Sequence, residues 1–81
     1  MSWYDRSMAH NLISIDPKVM GGKPVIAGTR VTVEQIVREC ARGLTVDEVI
    51  DQYPRLKKED VFAALRFAAD YLADEITTPA E

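Results

Sequence analysis

Few side chains in this sequence are of the kinds that carry out covalent chemistry. The 81 residues include one histidine, His10, and one cysteine, Cys40. No serine, cysteine or carboxylate pattern surrounds His10 to orient it as an acid or base, so a surface or capping role is the better interpretation. Cys40 falls on the apolar stripe of a predicted helix, which favours a small core residue over a reactive thiol. We therefore expect no catalytic residues and no enzyme activity.

The sequence also predicts neither a metal site nor a phosphate-binding loop. One histidine and one cysteine cannot supply the usual ligands of a zinc site, and a single cysteine cannot form an intramolecular disulfide. The segment Gly21-Gly22-Lys23 lacks the longer glycine spacing of a phosphate loop, and Lys23 is followed by Pro24 rather than by serine or threonine. We expect no cofactor and no metal.

Basic side chains remain as candidates, and the chemistry that they offer is binding of an anion such as a nucleic-acid phosphate. The net charge of −3 does not favour nucleic acid. Positive charge is nevertheless concentrated in residues 54–67, where four basic side chains stand against Glu59 and Asp60: Arg55, Lys57, Lys58 and Arg66. A local basic patch on an acidic protein is compatible with DNA binding. Solvated surface charge is the alternative for any one of these lysines.

Two helical segments position this basic cluster. Thr45-Val46-Asp47-Glu48 has the form of a capping box, which predicts a helix start at Thr45, and Pro54 predicts that this helix ends near Tyr53. A longer helical segment follows from about Lys58. A short helix, a tight corner and a longer helix are typical of a helix-turn-helix. A helical corner without a nucleic-acid role would give the same pattern.

An earlier helix is predicted by a second capping box, Thr32-Val33-Glu34-Gln35. Apolar residues follow it at helical spacing, and Gly43 has the residue type that commonly follows a helix end. We therefore expect three helices in the chain, with the last two forming the corner.

Short β-strands are predicted before the first helix. Residues 12–15 alternate weakly and include the β-branched Ile13 and Ile15, which indicates a strand, and Asp16-Pro17 would end it. Residues 23–33 indicate a hairpin whose turn lies at residues 27–30, where Gly28 can adopt a positive φ. Arg30, just past this turn, could bind an anion or fix the hairpin to a nearby acid, and we expect the structural role.

The predicted architecture is mainly α with a small N-terminal β-hairpin, as a three-helix helix-turn-helix domain of homeodomain-like or winged-helix-like type. Residues 1–11 are interpreted as an N-terminal arm, residues 12–76 as the single domain and residues 77–81 as a flexible tail. Two residues of the arm, Trp3 and Tyr4, are candidate anchors for a partner protein. Phe67, in the last helix, is a third candidate and is predicted to be exposed.

The faces of the last helix suggest how it is used. Its apolar residues cover an arc of about 200°, wider than the stripe of an ordinary surface helix. The extra width indicates a second copy of the chain, with Phe62, Ala69 and Leu72 as candidate dimer contacts. The opposite face, which includes Ala63, is acidic toward its C-terminal half, so only the first turn of the helix is expected to approach DNA closely.

The size of the chain also favours a dimer. A domain of 81 residues buries only roughly 60 to 65% of its extended surface and is marginally stable alone.

No apolar run is long enough to cross a bilayer, and the first residues lack the basic start and apolar core of a secretory signal. We therefore expect a homodimer that is located in the cytoplasm and does not contact a membrane.

Several of these motifs together resemble the family called domain of unknown function 433. The similar residues extend from about Leu12 to Leu72 and include the Gly43-Leu44-Thr45 segment and Tyr53-Pro54. The specific part is the Gly-x-Pro-x-Ile-x-Gly-Thr-Arg pattern within residues 21–31. The resemblance implies a homeodomain-like helix-turn-helix of small bacterial and archaeal proteins. It also implies an antitoxin role, since many members are regarded as antitoxins of PIN-like ribonuclease toxins.

One position departs from the family pattern. Similar members often carry a serine, threonine or other good cap where the last helix starts, whereas this chain has Lys57 followed by Lys58. Lysine caps a helix poorly and lies at the unfavourable end of the helix dipole, which costs roughly 1 kcal/mol. An anionic partner would compensate, either a phosphate or an acidic neighbour such as Glu59.

Two hypotheses follow for the function. The first is a dimeric antitoxin that binds operator DNA and neutralises a toxin protein, with Arg55, Lys57, Lys58 and, more weakly, Arg66 as candidate phosphate contacts. The second is a protein–protein interaction module that binds no DNA.

Overall fold

Three helices and a two-stranded sheet form the part of the chain that the structure describes. The computed structural model describes residues 11–76, and the side chains as far as Ala73. The elements are β1 (Ile13–Ser14), a 3-10 turn (Met20–Gly22), β2 (Val25–Ile26), α1 (Val33–Ala41), α2 (Val46–Gln52) and α3 (Lys58–Ile76). The predicted mainly α fold with a small β-structure before three helices is confirmed. Apart from Asn11, the predicted arm lies outside the described residues, as does the predicted tail.

The first two helices begin at reciprocal capping boxes, as predicted. Thr32 Oγ1 accepts a hydrogen bond from the Gln35 N–H at 2.9 Å, and Gln35 Oε1 accepts one from the Thr32 N–H at 2.9 Å. Thr45 and Glu48 form the same pair of hydrogen bonds at 3.2 and 2.8 Å. Both helix starts are therefore specified within four residues of sequence.

The third helix begins with acidic partners for both lysines. Asp60 Oδ2 accepts a hydrogen bond from the Lys57 N–H at 2.9 Å, which is one half of a capping box. Lys58 Nζ lies 3.9 Å from Asp47 Oδ1 on α2. An acidic neighbour of Lys57 was one of the two predicted compensations, and the residue in that role is Asp60 rather than Glu59.

Replacing Asp60 by alanine should lower the free energy of unfolding by about 1 kcal/mol, the usual effect of losing a helix cap. The Lys57 N–H would lose its acceptor, and the positive end of the helix dipole would lose a carboxylate. Glu59→Ala is the matched control, because it removes the same charge from the same helical turn. Urea denaturation of both variants tests the prediction, and equal losses would show that only the charge matters.

Each of the first two helices ends where the sequence predicts. After α1, the N–H groups of Gly43 and Leu44 donate to the carbonyls of Cys40 and Glu39 at 3.0 and 3.2 Å, and Gly43 has φ +104°. This is a Schellman motif, which requires a residue that tolerates positive φ. After α2, Pro54 prevents continuation of the helix.

The strand pairing differs from the predicted hairpin. β1 pairs antiparallel with β2, with Ile13 opposite Ile26. The segment after the turn contributes a single bridge, Val25 to Thr32. The expectation of two strands within residues 23–33 is therefore wrong for the second strand, because Thr32 already caps α1 and no length remains for further pairing. The predicted turn is present, with Gly28 at φ +81°.

The core lies where the three helices meet over the sheet. Its buried members come from β2, from all three helices and from the corner before α3: Ile26, Val33, Ile36, Val49, Leu56, Val61 and Ala64. Four of these side chains are fully buried, and Cys40 packs against the cluster while half-buried, as a small core residue would. α3 contacts both α1 and α2, so the long helix is the element against which the others are arranged.

A search for membrane-spanning segments within residues 11–76 finds no helix that is both long enough and apolar enough to cross a bilayer.

Candidate nucleic-acid interface and partner surface

The corner between α2 and α3 holds its basic side chains outside the core. Leu56 is 3% exposed, and its N–H donates to the Tyr53 carbonyl at 2.9 Å, which fixes the corner from within. Arg55 and Lys57, on either side of Leu56, are exposed, as is Lys58 at the first position of α3. Burial of Leu56 therefore forces its two basic neighbours toward solvent. The structure brings these three candidate DNA-binding residues together.

The exposed face of α3 continues this basic surface. Successive residues of a helix are rotated by about 100° around its axis. On this basis, six exposed residues of α3 lie on one side of the helix, within an arc of about 100°: Lys58, Glu59, Phe62, Arg66, Ala69 and Ala73. We call this set the outward face of α3. Arg66, the fourth candidate DNA-binding residue, is part of it and lies about 12 Å along the axis from Lys58.

The outward face is less acidic than the sequence suggested. Asp60 is half-buried and binds the Lys57 N–H, and Asp70 is also half-buried. Ala63, predicted to be on the outer face, is 3% exposed. From Lys58 to Ala73, Glu59 is the one carboxylate among the outward-face residues. Acidic charge is therefore less exposed on this part of α3 than the sequence indicated, and the expectation that it keeps DNA away from the last turns of the helix stays a prediction.

Phe67 was predicted to be an exposed partner anchor, and the predicted exposure is wrong. Its side chain is half-buried and packs against the core cluster. Its ring also stacks with that of Tyr71, one helical turn later, at a centroid separation of 6.4 Å. A helical wheel places Phe67 opposite the apolar arc, but α1 packs over this side of α3 and covers it. Trp3 and Tyr4, the other predicted anchors, lie outside the described residues.

An apolar groove lies between α1 and the C-terminal half of α3. It encloses about 510 Å³ and is lined by Pro24, Val33, Glu34, Val37, Arg38, Phe67, Ala68, Tyr71 and Leu72. The groove follows from helix lengths, because nine residues of α1 span about 14 Å whereas nineteen residues of α3 span about 28 Å. Tyr71 and Leu72 extend past the covered part and are 55% and 51% exposed.

Two oppositely charged side chains, Glu34 and Arg38, lie at the rim of the apolar groove. Glu34 Oε2 accepts hydrogen bonds from Arg38 Nη2 at 2.8 Å and Nε at 3.0 Å, while Lys23 Nζ lies 3.2 Å from Glu34 Oε1. The hydrogen bond from Arg38, with that from Lys23 next, holds the pKa of Glu34 below its ordinary value of 4.5. Any stabilisation of the fold by these ion pairs is fully present at pH values above 4.5 and is lost as the pH falls through the lowered pKa of Glu34.

The predicted dimer contacts lie on two adjoining surfaces of α3. Phe62 and Ala69 lie on the outward face of α3, whereas Leu72 lines the apolar groove, about 60 to 80° away around the helix. Tyr71 lines the groove as well and was missed as a candidate contact. The sequence could have indicated Tyr71, because the predicted last helix is longer than the others and its last turns therefore had no predicted helix to pack against.

A second open cavity lies between the β2 turn and the corner. It encloses about 540 Å³, and Arg30 and Arg55 both line it, together with Ser14 and Thr29. We call it the arginine cleft. Neither arginine forms an ion pair within the described part of the chain, so the expected attachment of Arg30 to a nearby acid is not found there. Arg30 was absent from the predicted DNA contacts because the sequence does not show that its turn lies beside the corner.

Comparisons with known proteins place the chain among similar sequences and structures. Residues 13–68 match the family model described as "Protein of unknown function (DUF433)". The "Uncharacterized protein y4eO" of Sinorhizobium fredii (strain NBRC 101917 / NGR234) is 31% identical over 64 residues, which are 79% of this chain. The match covers 29% of the length of that protein.

A solved structure has the same fold. It is the crystal structure of a DUF433 member protein from Anabaena variabilis ATCC 29413, which superposes with a TM-score of 0.71 at 34% sequence identity. The match covers 80% of this chain and 64% of that chain.

Proposed function

Since this chain belongs to the DUF433 family, we propose that it is an antitoxin-like binding module of a toxin–antitoxin pair. In this proposal it is a dimeric helix-turn-helix protein of the cytoplasm that binds operator DNA and neutralises a PIN-like ribonuclease toxin. One observation carries the DNA-binding part: Arg55, Lys57, Lys58 and Arg66 are all exposed on the corner and the outward face of α3. The antitoxin part rests on the role attributed to many family members.

The outward face of α3 is the element that enters the major groove in this proposal. Arg55, Lys57 and Lys58 contact phosphates at the edge of the groove, and Arg66 lies farther along the helix. Phe62 is 49% exposed between them and can contact the methyl group of thymine. Asp60 lies outside the outward face and is half-buried, with Oδ2 accepting the hydrogen bond from the Lys57 N–H.

The dimer of this proposal forms through the apolar groove, with a second copy of the chain as its occupant. A two-fold contact brings each surface against itself, so the surface must be self-complementary. The rim carries Glu34 and Arg38 side by side, and a second copy can therefore place opposite charges against each other. Tyr71 and Leu72 supply the exposed apolar side chains that such an interface needs.

The test of DNA binding is the salt dependence of affinity for a duplex of about 30 base pairs from the region upstream of the gene, a length that accommodates two half-sites. Fluorescence anisotropy between about 50 and 200 mM salt gives the slope of log K against log salt. Single alanine variants of Arg55, Lys57, Lys58 and Arg66 should each lower that slope by about one if the side chain contacts a phosphate.

The matched control for this test is Arg42→Ala. Arg42 is also exposed and also carries a positive charge, but it is paired with Glu39 at the end of α1, and its removal should leave the slope nearly unchanged. Slopes that are the same for all four variants and for Arg42→Ala would exclude the corner and α3 from the DNA interface.

The second candidate, an interaction module that binds no DNA, is favoured by the apolar groove itself. Exposed Tyr71 and Leu72 also suit a partner protein of different sequence. Co-expression with the product of the adjacent gene distinguishes the two functions. Co-purification without any affinity for the upstream duplex would support the second candidate, and recovery of the chain alone would contradict the toxin-binding part of the first.

A further inference from the structure

The arginine cleft is formed by two turns that are far apart in the sequence. Arg30 follows the turn after β2, and Arg55 belongs to the corner between α2 and α3. Both side chains are exposed, and both line the same cavity of about 540 Å³. No acidic residue of the described chain lines this cavity, although the protein as a whole has a net charge of −3. The fold therefore brings two positive charges together without a compensating carboxylate in the lining.

The turn that carries Arg30 is held by several hydrogen bonds. The N–H of Ile26 donates to the Val31 carbonyl at 2.9 Å, and the N–H of Thr29 donates to the Ile26 carbonyl at 2.9 Å. Thr29 Oγ1 also donates to the Ile26 carbonyl at 2.8 Å and accepts from the Val31 N–H at 3.0 Å. The backbone on both sides of Arg30 is thus fixed, so its guanidinium projects from a well-defined position.

Arg55 is anchored in a comparable way. Pro54 before it has a restricted φ, and Leu56 after it is 3% exposed within the core. Because both arginines start from constrained backbone, less conformational entropy is lost when they bind a common ligand.

The chemistry of the cleft fits a phosphate. A guanidinium presents a planar set of donors that matches phosphate oxygens, and two guanidinium groups can share one phosphate. Ser14, at the edge of β1, adds a hydroxyl to the lining. The cleft borders the corner through Arg55, and Lys57 and Lys58 of the same corner are exposed. Several basic side chains near one another suit a nucleic-acid backbone better than an isolated anion.

We propose that Arg30 and Arg55 together bind one backbone phosphate of a DNA duplex, which makes the β2 turn a second DNA-contacting element beside the helix-turn-helix. This inference rests on the proposed function in that the ligand is DNA. It adds Arg30 to the interface and predicts that the two arginines act on a single phosphate. Phosphates carry no base sequence, so the cleft contributes equally to all duplexes.

The test uses the full chain and two fluorescent duplexes of about 30 base pairs, one from the region upstream of the gene and one with the same bases scrambled. Arg30→Ala should weaken binding about tenfold on both duplexes, as expected for a charged hydrogen bond. It should lower the salt slope by less than about one, because Arg55 still partly neutralises the shared phosphate. Arg30→Lys retains the charge and should therefore retain the slope. The Arg30→Ala and Arg55→Ala double variant should lose less affinity than the product of the two single losses, because the residues share one phosphate.

Arg42→Ala is the control for loss of one exposed arginine, and thermal melting of each variant shows that the fold is retained. An Arg30→Ala slope equal to that of Arg42→Ala would overturn the inference, even if Lys57→Ala and Lys58→Ala still lower the slope and so support the proposed DNA interface. Independent losses in the double variant would overturn the shared phosphate. Equal affinity for both duplexes with the predicted Arg30 effect would support the cleft but contradict operator recognition. Absence of binding to either duplex would overturn both proposals.

Discussion

Replacing Ile36 by alanine should lower the free energy of unfolding by about 2 to 5 kcal/mol, the range measured for large-to-small substitutions in protein cores. Ile36 is fully buried in α1 and belongs to the cluster that joins all three helices. A domain of 81 residues is expected to have only about 4 to 12 kcal/mol of stability in total. The variant should therefore be substantially unfolded in moderate urea where the unmodified protein is folded.

Urea denaturation followed by far-ultraviolet circular dichroism measures this effect. Ile15→Ala is the matched control, because it deletes the same atoms from a side chain that is 61% exposed, and it should change the stability by less than about 0.5 kcal/mol. Similar losses for the two variants would contradict the position of Ile36 at the centre of the core.

Replacing Leu72 by aspartate should convert the proposed dimer into monomers. A charge placed in the centre of an apolar interface costs at least about 2 kcal/mol, as for the loss of a binding hot spot. A two-fold interface contains each residue twice, so the dimer dissociation constant should rise about a thousandfold. Analytical ultracentrifugation over a range of protein concentrations measures this change.

Phe62→Asp provides a closely matched control for the Leu72 variant. Phe62 is 49% exposed and Leu72 is 51% exposed on the same helix, but Phe62 lies on the outward face of α3 rather than in the apolar groove. Phe62→Asp should leave the dimer intact and weaken binding to the upstream duplex, since it adds negative charge next to phosphates. Dissociation of the dimer by Phe62→Asp but not by Leu72→Asp would move the dimer contact to the outward face.

The helix boundaries could be predicted from the sequence because each depends on a few adjacent residues. Thr32 and Gln35 form one capping box, Thr45 and Glu48 form the other, and Gly43 accepts the positive φ that ends α1. These interactions are local, so residue types at fixed spacing are enough to identify them. The beginning of α3 was also placed correctly, at about Lys58, although the hydrogen bond between Asp60 and the Lys57 N–H was not predicted.

The strand partner and the exposure of aromatic residues could not be predicted in this way. β2 is two residues long and has Ile13–Ser14 on one side and Thr32 on the other, and the sequence does not show which of these continues as a strand. The exposure of Phe67 and Tyr71 depends on how far α1 extends over α3. Helical periodicity gives the direction of a side chain but not the length of the neighbour that covers it.

The arginine cleft was also beyond prediction, because Arg30 and Arg55 become neighbours only through the packing of the sheet against the helices. The sequence identified Arg55 as a candidate DNA contact and gave Arg30 a structural role. No local pattern connects two side chains that are separated by two helices, α1 and α2.

The hydrogen bonds at the start of each helix have a consequence for how the chain folds. In all three helices, the N–H of the residue before the helix is bound by a side chain only three positions later: Gln35, Glu48 or Asp60. Such contacts close very short loops, and short loops form quickly with little loss of chain entropy. The first residue of each helix can therefore be fixed before the helices pack together. The packing of α3 against α1 and β1 is then the slower step, because it joins parts of the chain that are far apart in sequence.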